Sequence, residues 1–193
     1  MNLESGYLYH VFNQGNNHQK IFFNRENYLY FLRKIHIHIL PFADVLSWCL
    51  MPTHFHLMIY VVRQSYQPSE PGAKEQNLNS SIGVMLRSYT QAINKAEGWS
   101  GSLFRSETKA ECINRPKGIT PSFINTSGAT QFVQFDPAKD YPQICMEYIH
   151  QNPVKANLCK NPTDWEFSSA ADYAQLRNGK LINRERIAEY LFV

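Results

Sequence analysis

No run in these 193 residues stays apolar for the roughly 18 positions that a membrane-spanning helix needs. The opening Met1-Asn2-Leu3-Glu4-Ser5 lacks the basic-then-apolar pattern of a secretory leader. Cysteine is scarce. Cys49, Cys112, Cys145 and Cys159 are scattered with no Cys-x-x-Cys pair, which argues against a zinc knuckle and against a disulfide framework. No Gly-x-Gly-x-x-Gly stretch and no phosphate-cradling P-loop occurs, so dinucleotide binding and P-loop NTPase chemistry have no carrier. No internal repeat is visible. Charge of one sign is also lacking: 19 Lys and Arg against 16 Asp and Glu give a formal +3, which suits a nucleic-acid partner without identifying one. With 44% hydrophobic and 18% charged residues the chain reads as soluble and globular, and its length is that of one domain, 1–193. A reducing, cytoplasmic setting is the expectation.

What the chain does have is Leu50-Met51-Pro52-Thr53-His54-Phe55-His56-Leu57-Met58-Ile59-Tyr60. The run reads as a β-strand, in which successive side chains alternate faces. His54 and His56 therefore point one way, while Phe55, Leu57 and Ile59 point the other way and are expected to pack on a helix layer. Two neutral imidazoles side by side suit a bidentate metal site. A second pair, His36-Ile37-His38, lies where Tyr28, Leu29, Leu32, Ile35 and Ile39 recur at helical spacing. On a helix those two imidazoles diverge by about 200°, so the pair reads as helix surface or core edge. The element beneath a His-x-His pair decides what it can do.

The remaining elements follow from pattern. Tyr7 to Phe12 alternates and is the first strand, ended by the polar turn Asn13-Gln14-Gly15-Asn16-Asn17. Arg25 to about Leu40 is an amphipathic helix stopped by Pro41, and Ala43 to Leu50 is a strand that forms a hairpin with His54 to Val62. Asn77 or Asn79 caps a helix to about Ala96 with Ile82, Met85, Leu86, Tyr89 and Ile93 on one face. Leu103 to Ala110 is read as the last strand. Flexible loops are expected near 64–76 and 113–136, the second unusually long for a compact domain. Pro137 or Asp140 opens a final major helix through about Gln151, halted by Pro153. Trp165 to Ser169 is a packing tail and Asn183 to Tyr190 a short terminal helix. The order βαββαβα predicts an α+β fold, helices layered on an antiparallel sheet.

The final helix carries Tyr148 and Asn152, four apart and so on one helix face. Two readings fit this spacing. Tyr148 packs the core and Asn152 caps the helix before proline; or that face meets His54 and His56, adding an amide oxygen as third ligand and a phenol beside the metal. A phenol has an ordinary pKa of about 10, and a nearby cation would help it ionise.

Three segments occur together and in order: Tyr9 to Asn17, Cys49 to Leu57 with its Pro-x-His-x-His core, and Tyr148-Ile149-His150-Gln151-Asn152-Pro153-Val154-Lys155-Ala156. Leu86 to Asn94, Leu103-Phe104-Arg105 and Trp165 to Ser169 extend the likeness over most of the chain. In these blocks the sequence resembles the HUH single-tyrosine transposases, in their REP-associated branch. The resemblance implies a ferredoxin-like or RRM-like fold, with His54, His56 and Asn152 as ligands of Mg²⁺ or Mn²⁺. Tyr148 would be the nucleophile that cleaves single-stranded, hairpin-containing DNA through a 5′-phosphotyrosine intermediate. It also implies a possible homodimer. One departure is the span between Ala110 and Asp136, longer and more polar than its counterpart in relatives.

The rival reading is a non-catalytic single-stranded nucleic-acid-binding module derived from such a transposase. A zinc hydrolase is disfavoured, since no acidic residue accompanies the histidine pair at helical spacing. Tyr89 is a rival nucleophile placed in the apolar face of its helix. Arg87, Lys95, Arg105, Lys109 and Lys155 are candidates for phosphate contacts, and Tyr66, Trp99 and Phe104 for stacking on bases.

Overall fold

The alternation around His54 is realised as a strand, and the sheet is built outward from it. The computed structural model describes residues 1–67, 74–115, 124–126, 129–131 and 137–192. Its strands are β1 (Leu8–Gln14), β2 (Ala43–Met51), β3 (His54–Val61), β4 (Ser65–Tyr66), β5 (Gln76–Asn77), β6 (Lys109–Cys112), β7 (Ile124–Thr126) and β8 (Ala129–Gln131). Its helices are α1 (Arg25–His38), α2 (Leu78–Glu97), α3 (Pro137–Lys155), α4 (Ala170–Tyr173) and α5 (Arg184–Tyr190). The main sheet has the order β2-β3-β1-β6, and each neighbouring pair is antiparallel. With α1 after the first of these four strands and α2 after the third, this is the split βαβ arrangement of ferredoxin-like folds. The α+β expectation holds.

Pro52-Thr53 forms the turn of the β2–β3 hairpin, so Met51 faces His54 and Cys49 faces His56. On the other side β1 places Gln14 opposite His54 and Phe12 opposite His56. Period-two alternation then divides the sheet. Phe55, Leu57 and Ile59 are fully buried on the face covered by α1 and α2. There the Phe31 ring meets Phe55 at 5.2 Å and Tyr89 at 5.0 Å. The opposite face carries His10, Phe12, His54 and His56 and is covered by α3, through buried Cys145, Met146 and Ile149.

Local chemistry starts the helices where asparagine stands. The Asn24 side chain accepts from the Asn27 backbone N–H while the Asn27 side chain accepts from that of Asn24, a reciprocal cap. Asn77, of the two candidates, caps α2 by accepting from Ser80, and Gly98 ends that helix with φ of 69°, a left-handed conformation that favours glycine. His36 is exposed and His38 partly buried on α1, as helical spacing predicts.

The outer edge of β2 is closed by the chain after α3. Leu50 N–H donates to Phe167 O, Ser169 N–H to Trp48 O, and Trp165 Nε1–H to Leu50 O. The segment read as a packing tail thus also pairs with the sheet edge, which protects it from other strands. No helix among the described residues is long and apolar enough to cross a membrane.

Several boundaries differ from the sequence reading, among them the end of β1, which runs through Asn13 to Gln14 instead of stopping at Phe12. The last strand of the main sheet is Lys109–Cys112, not Leu103 to Ala110. Leu103 and Phe104 are consecutive and both buried, so they dive into the core instead of alternating, and Phe104 makes a single bridge to Gly15. The true edge strand is polar and half-exposed, which hides it from a hydrophobicity pattern. Pro153 does not halt α3, which runs to Lys155. Proline removes one backbone donor near the helix end, and Ala156 N–H still reaches Asn152 O while Leu158 N–H reaches Pro153 O. The loop regions carry short antiparallel pairs, β4 with β5 and β7 with β8. The rest of 68–73 and 116–136 lies outside the described residues.

Tyr89 has no exposed surface, and its hydroxyl donates to Ile21 O at 2.6 Å. It serves the core, as its place on the helix implies. Tyr89→Phe leaves a buried carbonyl without its donor and is expected to cost about 1–2 kcal/mol in urea unfolding. Unchanged stability would mean that this bond contributes nothing net.

Candidate functional site

β3 and α3 supply the residues that face one another. His54 and His56 share a sheet face, with ring centroids 5.0 Å apart and planes at 84°. The Tyr148 ring stands edge-on to His56 at 5.5 Å and to His10 at 6.0 Å. Asn152, one turn further along α3, donates from Nδ2 to Tyr148 O at 2.8 Å. Its amide also interacts with His54. All four residues singled out from the sequence therefore meet between β3 and α3.

The nitrogens are arranged in a consistent way. His54 Nδ1 lies 3.0 Å from Thr53 Oγ1, and His56 Nδ1 lies 2.9 Å from His10 Nε2. Each Nδ1 is thus engaged, so Nε2 is the nitrogen of each ring that would face a cation. His56 Nε2 is buried and has no hydrogen-bond partner. A buried, unmatched imidazole nitrogen is costly unless something binds it. Burial lowers the pKa of His56 to about 2, with His10 and His54 adding to the effect, and it lowers that of His10 to about 4. Burial also lowers His54, against which the Asn152 amide works. All three rings are neutral near pH 7, the form in which imidazole ligates metals.

These donors fit a divalent cation: two imidazole Nε2 atoms, one of them orphaned, and one amide oxygen. Among the described residues no three His, Cys, Asp or Glu side chains form a metal-holding group by themselves, so a cation here would need the Asn152 amide oxygen as a further donor. Mixed nitrogen and oxygen donors suit Mn²⁺ on ligand softness and Mg²⁺ less well.

Tyr148 is 42% exposed, so its ring rests on the imidazoles while one side stays open. Lys155 Nζ lies over that ring at 5.2 Å. At the other end of the site the Gln14 amide accepts from Arg105 when its oxygen is turned toward the guanidinium, and Gln14 sits opposite His54 in the sheet. A cavity of about 320 Å³ opens beside Tyr148, bounded by His10, Phe12, His56, Glu111, Ile144 and Cys145 among others.

His10 and Glu111 escaped the sequence reading. Alternation within Tyr7 to Phe12 puts His10 and Phe12 on one face, but nothing local reveals that this face is that of His56. Phe104 is 4% exposed and packs in the core, so it is no candidate for base stacking. Tyr66 packs on Phe42, whereas Trp99 is 49% exposed while touching Phe23. His150 lies outside the cluster, with Nε2 2.8 Å from Ser169 Oγ.

No protein-family model matches the chain, and no curated protein matches it in sequence. Among solved structures, a REP-associated tyrosine transposase bound to a REP hairpin aligns over 95% of each chain, with TM-score 0.56 and 14% sequence identity. The two chains share a fold. At that identity the likeness speaks for architecture alone.

Burial lowers the pKa of His150 to about 4, partly opposed by Asp172. An ordinary histidine takes its proton near 6.5, so on acidification the unfolded chain is protonated first. The stabilisation is complete above pH 6.5 and is lost as pH falls toward 4. His150 alone is expected to cost about 1–2 kcal/mol between pH 7 and 5. Urea unfolding of His150→Gln should show a shallower fall over this range; an identical slope would exclude His150 as a source.

Proposed function

We infer that this chain is a metal-dependent DNA strand transferase that cleaves single-stranded, hairpin-containing DNA through Tyr148. The observation that carries the reading is the convergence of Tyr148 and Asn152 on α3 with His54 and His56 on β3, around an unpartnered imidazole nitrogen. Its support from comparison is a fold shared with a tyrosine transposase bound to a REP hairpin.

The phenolic oxygen of Tyr148 attacks the scissile phosphorus, the bond to the 3′ oxygen breaks, and a 5′-phosphotyrosine and a free 3′-OH result. The phenolic proton leaves to solvent and the departing oxygen gains one. Attack by a 3′-OH on the phosphotyrosine reverses the exchange and joins strands. One phosphodiester replaces another in each step, so no nucleotide cofactor is consumed. His54, His56 and Asn152 would hold the divalent cation, which when bound polarises a phosphate oxygen and offsets developing negative charge. Arg105, next to the Gln14 amide across the sheet from His54, and Lys155, over Tyr148, would supply positive charge to the phosphate path. The open side of Tyr148 lets a strand approach, and the imidazoles behind it fix the ring.

Incubation of the protein with labelled single-stranded oligonucleotides from its own genomic flanks, with Mn²⁺ or Mg²⁺, is expected to give a covalent protein–DNA band on denaturing gels. Tyr148→Phe should abolish the band, and His56→Ala should reduce it at least a hundredfold. An undiminished band in Tyr148→Phe would remove Tyr148 as nucleophile. Tight binding that survives chelation, with no adduct on any flank, would favour a non-catalytic binding module.

A further inference from the structure

The buried imidazole behind His56 has no assigned part in that chemistry. We propose that His10 is a positioning residue that holds His56 with its proton on Nδ1 and so presents the Nε2 lone pair to a divalent cation. The inference rests on the metal reading above and adds a residue from a different strand.

His10 Nε2 and His56 Nδ1 are 2.9 Å apart, and both residues are buried. Their ring centroids are 5.0 Å apart with planes at 24°. Centroids that far apart with nitrogens in contact mean that the rings meet edge to edge and almost coplanar. That is the geometry of an N–H···N hydrogen bond, with the donor's proton in the plane of the acceptor's lone pair. The rings are fixed from both sides. Phe12 stacks on His10 at 4.8 Å, and Tyr148 stands edge-on to both imidazoles.

A neutral imidazole has one N–H and one lone pair, so only two arrangements satisfy the bond. If His10 donates, His56 carries its proton on Nε2, a buried donor that nothing accepts and that no cation can use. If His56 donates from Nδ1, His10 accepts on Nε2 and His56 Nε2 becomes a lone pair facing the ligand set. Only the second arrangement is compatible with ligation. The Nδ1 of His54 is likewise engaged, by Thr53 Oγ1. A hydrogen-bond partner on the far nitrogen of a metal-ligating histidine fixes its tautomer and ring orientation. Here that partner is another histidine, held by the β1–β3 pairing that sets Phe12 opposite His56.

Two measurements test this. In metal-free, ¹⁵N-histidine-labelled protein, two-bond ¹H–¹⁵N correlation spectra, assigned with His56→Ala and His10→Phe, should show His56 with a protonated Nδ1 and a bare Nε2. In Mn²⁺ titration calorimetry, His10→Phe should weaken binding by about 10–100-fold. His10→Gln, whose side-chain oxygen can accept the same proton, should recover most of that loss. His56 protonated on Nε2 would overturn the proposal, as would equal losses in His10→Phe and His10→Gln. A Mg²⁺-induced shift of His10 Nε2 to a metal-bound value would make His10 a ligand instead. Native protein that takes up no Mn²⁺ overturns the metal reading and the role built on it; unchanged affinity in His10→Phe overturns the role alone. Where His10→Phe does not fold, the tautomer in the native protein decides.

Discussion

The burial of Ile149 on the imidazole face of the sheet is the contact on which the site depends. Ile149 has no exposed surface, and Cys145 and Met146, one turn earlier, are buried with it. Successive helical residues turn by about 100°, so seating Ile149 in the sheet leaves little freedom in where its neighbours stand. Tyr148 is brought to the edge of the contact, against His56 yet still open, and Asn152 a turn later reaches His54. A fully buried isoleucine contributes roughly 1.5–3 kcal/mol, so helix rotation is set by a core contact and not by the weaker polar ones. His150 secures the same helix from its other side through Ser169, whose hydroxyl also accepts from Trp48 N–H on β2.

That packing makes the imidazole cluster neutral and thermodynamically costly. Covering the face with α3 removes water from His10 and His56, which keeps both neutral and leaves His56 Nε2 with no partner. Such an atom is a liability in a structural core, where polar groups are matched with few exceptions. The cost falls on the edge of the fold that can carry it. The opposite sheet face is a dense aromatic core of Phe31, Phe55, Tyr89 and Phe104, with the polar groups of the site kept out of it.

Much of this was legible in residue pattern, because period and punctuation are local properties. The alternating strand that begins at His54, its hairpin with the strand before it and the apolar stripe from Ile82 to Ile93 each appear where they are read. What sequence pattern did not reveal depends on non-local pairing. β6 is a polar edge strand that becomes a strand by joining β1, and no hydrophobic alternation announces it. Pro153 reads as a stop because its missing donor is local information, whereas the bonds that continue the last turn are not. His10 was invisible as a site residue for the same reason. Its face is known from alternation, but its neighbour is known only from the register of β1 on β3.

Spacing alone allowed a plain account of the final helix, in which Tyr148 packs the core and Asn152 caps the end before proline. Neither description suits the structure. An aromatic serving the core would be buried as Tyr89 is, whereas Tyr148 keeps 42% of its surface and lays one edge on two imidazoles. A capping asparagine would sit where the helix stops, whereas α3 continues to Lys155 and Asn152 turns its amide back to Tyr148 O. That bond ties the residue proposed as ligand to the backbone of the residue proposed as nucleophile. Phosphoryl exchange asks for this kind of economy. It needs an oxygen nucleophile held in line, a charge sink beside the phosphate and an open path for the strand. On the proposed reading, a half-exposed phenol fixed against a neutral imidazole pair would provide the first and third, and the orphaned nitrogen of His56 is the atom around which the second would be assembled.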